Sequence, residues 1–134
     1  MSETKGSCLC GAVQYRVSGP LRPVIACHCV QCRKTSGHFV AATAAPRAAL
    51  TVEGHLAWYT SSPEARRAFC PICGSSLFWE QHGNPMISIH AGTLDGATGL
   101  TISHHICCAD KGDYYEIDRG AEQFPGPDRE EIVQ

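Results

Sequence analysis

What most limits this chain is where its thiols fall. Nine cysteines occur in 134 residues. Seven of them form three short clusters: a C-x-C at Cys8 and Cys10, a C-x-C-x-x-C at Cys27, Cys29 and Cys32, and a C-x-x-C at Cys70 and Cys73. An odd total does not suit a closed disulfide framework. The first residues, MSETKG, lack the apolar segment of a secretory leader, and no apolar run is long enough to cross a bilayer. The expected compartment is therefore the reducing cytoplasm, where structural disulfides are rare. Thiols gathered at these spacings in that setting point to metal.

C-x-x-C on a tight turn lets two sulfurs grip one ion, and the glycine after Cys73 tolerates the positive φ such turns often need. C-x-C works differently. On an extended chain residues i and i+2 point the same way, so Cys8 and Cys10 can converge on one ion. Two plus two gives four thiolates, a closed structural site of Cys8, Cys10, Cys70 and Cys73 that would tie the first strand to a distant turn.

Cys27, Cys29 and Cys32 are left as a set of three. Three protein ligands with an open fourth position is the usual build of a catalytic zinc site. The competing reading closes this site with His38, His90, Cys107 or Cys108. His28 lies between two ligands, but an extended segment turns it away from the ion, toward packing, solvent or a supporting role in proton transfer. Cys107 and Cys108 are adjacent, so in a strand they would face opposite sides, one as a small buried hydrophobe. Three thiolates on Zn²⁺ make a weaker Lewis acid than three imidazoles. They suit the binding of another soft ligand, a thiol, better than the making of hydroxide.

The rest of the chain reads as short alternating segments. In AVQYRV, Val13, Tyr15 and Val17 share one face, as in a half-buried strand. HFVAATAA, HLAWYT, SLFWE, MISIHAG and LTISHHI read likewise, and SGP, GNP, LDG and PGP punctuate them. The best helical candidate is one short turn near Pro46 to Leu50. The expectation is a single all-β domain over 1–134, with small antiparallel sheets, zinc-binding turns, a core over about 6–124 and a frayed tail over 125–134. A hydrophobic fraction of 43% supports a globular core.

Net charge is −2, which gives no support to non-specific nucleic-acid binding. The acids crowd the chain from Asp110 onward. Two basic doublets, Arg33-Lys34 and Arg66-Arg67, instead flank the cysteine clusters.

With the clusters placed, the chain resembles the glutathione-dependent formaldehyde-activating enzyme family, which includes centromere protein V-like proteins. The matching segments are CLCGAVQYRV, ACHCVQCRKTSGHF, RRAFCPICGSSLF, AGTLDG and HICCADKGDYYEI, nearly the whole chain. The resemblance implies an Mss4-like all-β fold with two zinc ions, one structural on Cys8, Cys10, Cys70 and Cys73, the other on Cys27, Cys29 and Cys32. It also implies condensation of formaldehyde with glutathione, classed as a carbon–sulfur lyase activity. At one position the chain departs from many relatives, with Tyr114 where they carry tryptophan. Glutathione has two carboxylates, and Arg33, Lys34 or Arg67 are the candidates to hold them.

Two other functions compete. The same scaffold serves non-enzymatic zinc-binding modules, and a closed second site would favour that reading. C-x-x-C spacing also suits iron–sulfur clusters, although two ligand sets of different size argue against them.

Overall fold

The computed structural model describes residues 2–127. Its described residues form ten strands and one α-helix. In chain order these are β1 Glu3–Ser7, β2 Gln14–Ser18, β3 Val24–Cys27, α1 Val30–Ser36, β4 Val40–Pro46, β5 Leu50–Glu53, β6 Ala57–Ser62, β7 Ala65–Phe69, β8 Ser76–Gln81, β9 Met86–His90 and β10 Ile102–Ile106. Short 3₁₀ turns cover Arg47–Ala49, Ala91–Thr93 and Cys108–Asp110. The expected turn near Pro46 is thus present; α1 was not expected.

The strands build two sheets. One has the order β1-β2-β5, the other β10-β3-β4-β9-β8-β7-β6. Every pairing is antiparallel except β10 with β3, which is parallel. The domain is mostly β, as the alternation predicts, with one parallel pair that makes the large sheet mixed.

Side-chain alternation explains the layering. On β2, Tyr15 and Val17 are buried and Gln14, Arg16 and Ser18 are exposed. The buried face meets Leu50, Leu77, Phe78, Ile87 and Ile89 in the main core. Each such side chain contributes roughly 1.5–3 kcal/mol on burial. Tyr15 is an organising residue: its ring stands edge-on to Phe78 at 5.1 Å, and its hydroxyl hydrogen-bonds Thr93 at 2.6 Å. Gly6 is required beneath that ring, because a Cβ there would lie 2.3 Å from Tyr15 Cζ.

The other face of the large sheet borders a cavity. Ile25 and Cys27 of β3, Val40 and Ala42 of β4, Ser88 and His90 of β9, Trp79 of β8, and Ala65 and Arg67 of β7 all border one cavity. Ile87 and Ile89, alternating with Ser88 and His90, point into the core instead. One strand therefore supplies both core and site.

Cys107 departs from expectation, lying not in a strand but just beyond β10. With φ 57° it is the one non-glycine residue with positive φ among those described. Its N–H donates to the Gly126 carbonyl at 2.9 Å, and Ala109 N–H donates to Pro125 at 3.1 Å. The remainder of the expected tail, 128–134, lies outside the described residues.

Candidate functional site

The first cluster joins two turns. Cys8 and Cys10 sit in the turn between β1 and β2, not on an extended strand as the C-x-C spacing suggested. Cys70 and Cys73 sit between β7 and β8. The four sulfurs all lie within 4.8 Å of one another. Cys8 Sγ is 3.7 Å from Cys10 Sγ, and Cys10 Sγ is 3.9 Å from Cys70 Sγ. Zn–S bonds of about 2.3 Å in a tetrahedron put neighbouring sulfurs about 3.8 Å apart, so these residues fit zinc.

Backbone donors prepare the thiolates. Val13 N–H points at Cys8 Sγ at 3.3 Å, and Ile72 and Cys73 N–H point at Cys70 Sγ at 3.4 and 3.5 Å. The Ser75 hydroxyl, 3.2 Å from Cys73 Sγ, is the main cause holding that thiol down at about 5. Gly74 follows at φ 81°, and its N–H donates back to the Cys70 carbonyl at 2.8 Å. That backbone conformation is why glycine stands there.

The second cluster lies at a strand-to-helix junction. Cys27 ends β3, Cys29 caps α1, and Cys32 occupies its first turn. The Cys29 sulfur accepts from Cys32 N–H at 3.3 Å, replacing the usual serine or aspartate cap. Gly37, in the left-handed conformation, ends the helix. The three sulfurs lie within 4.8 Å of one another. Among the described residues these two clusters could each hold a metal ion, and thiolate ligation is consistent with zinc.

A fourth thiol borders this second set. Cys107 lies near enough to influence both the Cys27 and the Cys29 thiol. Bonds from Cys107, then Cys27 and Cys32, drive the Cys29 thiol far below its usual range, while Cys27 and Cys32 are pushed up. Cys107 is nevertheless not part of the set whose sulfurs all lie within 4.8 Å.

The other candidates for a fourth ligand fall elsewhere. His38 is exposed and its Nδ1 pairs with the Tyr114 hydroxyl at 2.6 Å. Cys108 starts the 3₁₀ turn after Cys107, its N–H donating to Phe124 at 3.0 Å. His90 lines the cavity, where burial and then the Arg67 charge lower it to about 4, so it is neutral at pH 7.

His28 turns away from the cluster and is fully buried. Its Nδ1 pairs with the Tyr115 hydroxyl and its Nε2 lies 2.9 Å from His105 Nδ1. Burial, then the neighbouring His105, hold it neutral with a pKa of about 4. It links the end of β3 to β10 through His105 and to the segment beyond β10 through Tyr115.

The three basic candidates separate in space. Arg67 lines the cavity; its Nη2 donates to Gln31 Oε1 at 3.2 Å and lies 3.9 Å from Cys32 Sγ. Gln31 is itself anchored on the Ser61 carbonyl at 3.2 Å. Arg33 donates instead to the Asp110 carbonyl at 3.0 Å, and Lys34 is exposed on the helix. Neither borders the cavity. Arg66, next to Arg67, faces the other way, paired with Glu80 at 2.6 Å and stacked on Trp58 at 3.7 Å.

The cavity beside the three cysteines has a volume of about 170 Å³. A wider cleft of about 410 Å³, bordered by Thr35, Trp58, Tyr59 and Phe69, shares Arg67 and His90 with it. Trp79, Gln31, Ser88 and His90 were not singled out as site residues from the sequence, although His90 was weighed as a ligand. Period-two alternation along β8 and β9 was the available signal.

The chain is thus a mostly β domain with a four-thiol knuckle and a three-thiol cluster beside a cavity, each able to hold a metal ion. A model of the glutathione-dependent formaldehyde-activating enzyme family matches residues 3–110, and the chain belongs to that family. It is similar to an uncharacterized lyase of Schizosaccharomyces pombe, 29% identical over 92% of each chain. A Halomonas elongata protein named for glutathione-dependent formaldehyde activation is 32% identical, over 85% of this chain and 80% of its own. In fold it is similar to a Rhodobacter sphaeroides protein solved by structural genomics, with a TM-score of 0.60 at 25% identity over 90% of this chain and 98% of that one. Among the described residues no helix is long and apolar enough to cross a membrane.

Proposed function

We infer that this protein is a zinc-dependent enzyme of the carbon–sulfur lyase type, joining glutathione to formaldehyde or another small electrophile. The observation that carries the reading is the placement of Cys27, Cys29 and Cys32 together on the wall of a cavity. The cysteines of both clusters are the proposed ligands of two zinc ions per chain. Zinc on three thiolates supplies a position that holds a further thiol as thiolate near neutral pH.

The protein's own residues do the rest. Arg67, oriented by Gln31 and placed where cavity and cleft meet, is the group best sited to hold a carboxylate of the thiol substrate. Arg33 and Lys34 lie outside the cavity and belong to a more distant field. Ile25, Val40 and Ala42 give the cavity an apolar wall that limits water around the sulfur. His90, neutral, adds no competing charge beside Arg67.

The test uses cobalt-substituted protein, whose sulfur-to-metal charge-transfer bands report the ligands. Glutathione is expected to change those bands saturably and more strongly than an uncharged thiol, and added formaldehyde to be consumed faster than the uncatalysed background. Bands untouched by glutathione would overturn the thiol reading. They would favour the second one, a zinc-binding module with both sites closed, for which the nearness of Cys107 to Cys27 and Cys29 is the support.

A further inference from the structure

Ser88 presents a chemical oddity. Its hydroxyl lies on the cavity face of β9 and the residue is 3% exposed, yet the oxygen has no hydrogen-bond partner. Buried hydroxyls are almost always paired, since leaving one unpaired costs free energy that alanine at the same place would not. Its cross-strand neighbours are Ala44 on one side and Trp79 on the other, and neither side chain offers an acceptor. The same row continues from Trp79 to Arg67, whose Nε is also buried without a partner. Two unsatisfied donors therefore flank the indole of Trp79, in a cavity to which Ile25, Val40 and Ala42 add apolar wall.

We propose that Ser88 is the catalytic hydrogen-bond donor that receives the carbonyl oxygen of the electrophile, an uncharged aldehyde that the cavity admits with a small apolar substituent. The proposal rests on the thiol-addition reading above. Three observations separate this oxygen from those of the thiol substrate. Trp79 and Ala44 flank Ser88 across the sheet, and Ile25, Val40 and Ala42 line the same cavity, so apolar surface there disfavours the charged ends of glutathione. Arg67, the one cation lining the cavity among the described residues, lies at its junction with the wider cleft and is the group assigned above to a carboxylate. A cavity of about 170 Å³ is several times the roughly 30 Å³ share of one water, more than formaldehyde fills.

The chemistry balances without any further reactant. A bond forms between the thiol sulfur and the carbonyl carbon, and the carbon–oxygen π pair moves onto oxygen. The proton given up by the thiol ends on that oxygen, leaving the hemithioacetal. A hydroxyl placed before the reaction begins meets the charge that grows on oxygen, and loss of one such donor lowers turnover by about 10²–10³ in well-studied sites.

The experiment compares wild type with Ser88→Ala in the zinc-loaded protein, through activity and binding. Ser88→Ala removes an unpaired group, so its melting temperature should be no lower than wild type, and its cobalt bands and their response to glutathione should be unchanged. Its kcat/KM for formaldehyde and propionaldehyde should fall at least tenfold. Acetamide, an uncharged carbonyl that thiols do not attack, should bind wild type saturably, shifting the amide resonances of residues 86–90, and bind Ser88→Ala at least tenfold more weakly. Equal turnover in the two proteins, or acetamide binding that is absent or indifferent to the hydroxyl, overturns the role of Ser88. Should acetamide binding depend on Ser88 while wild type accelerates no aldehyde, the oxygen site stands and the thiol-addition reading falls.

Discussion

Cys10 Sγ lies 3.9 Å from Cys70 Sγ, although 60 residues separate them in the chain. That contact locks the turn between β1 and β2 to the turn between β7 and β8, and so the small sheet to the large one. A metal ion held at this point would tie the two turns together as a disulfide does, and its binding energy would be folding energy. Cys73→Ser and Cys10→Ser should therefore leave the chain poorly folded, at a cost comparable with the whole ~5–15 kcal/mol stability of a domain. Circular dichroism melts of the purified variants check this. A variant that melts cooperatively at the wild-type temperature would refute the structural assignment.

The second cluster should behave otherwise. It joins residues of one local junction, β3 to α1, and the main core does not pass through it. Cys29→Ala removes both a ligand and the sulfur that caps α1. The cap is worth about 1 kcal/mol, a loss the fold should survive. Metal analysis of the protein purified under reducing, zinc-replete conditions should fall from two zinc ions per chain toward one. A single zinc in wild type would sink the two-centre reading.

Arg67 and the Arg33-Lys34 pair make opposite predictions. Arg67→Glu should weaken glutathione binding by about tenfold to a hundredfold, since a charge-assisted bond contributes roughly 1.5–3 kcal/mol. Arg33→Glu should change it little, because Arg33 is committed to the Asp110 carbonyl away from the cavity. Titration of the cobalt bands with glutathione measures both. Equal losses in the two variants would mean that long-range charge, not a contact, attracts the thiol.

Sequence alone made the thiol clusters and much of the β framework legible, and the reasons for the gaps are physical. Strands with one wet face, such as β2, betray themselves by alternation. β3 does not, because Val24, Ile25 and Ala26 are all buried and the period vanishes. β1 is a polar edge strand and β7 carries Arg66 and Arg67, so neither looks apolar. Helix α1 escaped because its cap is a cysteine and its length only seven residues. Cys8 and Cys10 were grouped with Cys70 and Cys73 for the wrong geometric reason, since a turn and not a strand aims them. Cys107 could not be placed beside the three-cysteine set, for its position depends on the pairing of β10 with β3, a contact of high sequence separation that no local pattern encodes.

Acid should destabilise the protein through two neutral histidines. His90 and His28 are both held near 4 against an ordinary value of 6.5, chiefly by burial. Between those limits the unfolded chain binds protons that the folded chain does not. Stability therefore rises with pH through this window; it is full above about 6.5 and is lost progressively toward 4. From pH 7.5 to 5.5 each histidine should remove about 1.4 kcal/mol, the cost of protonating a group of pKa 6.5 in the unfolded state alone. Protonation of the thiols, with loss of metal, acts in the same direction, so the wild-type loss alone cannot assign the effect. Urea unfolding of zinc-loaded His90→Gln at the two pH values isolates it. The variant should lose about 1.4 kcal/mol less than wild type over the interval, while Arg67, no longer facing an imidazole, keeps its contact with Gln31. An identical loss in both proteins would mean that His90 takes up its proton in the folded state, and that the cavity floor is charged in mild acid.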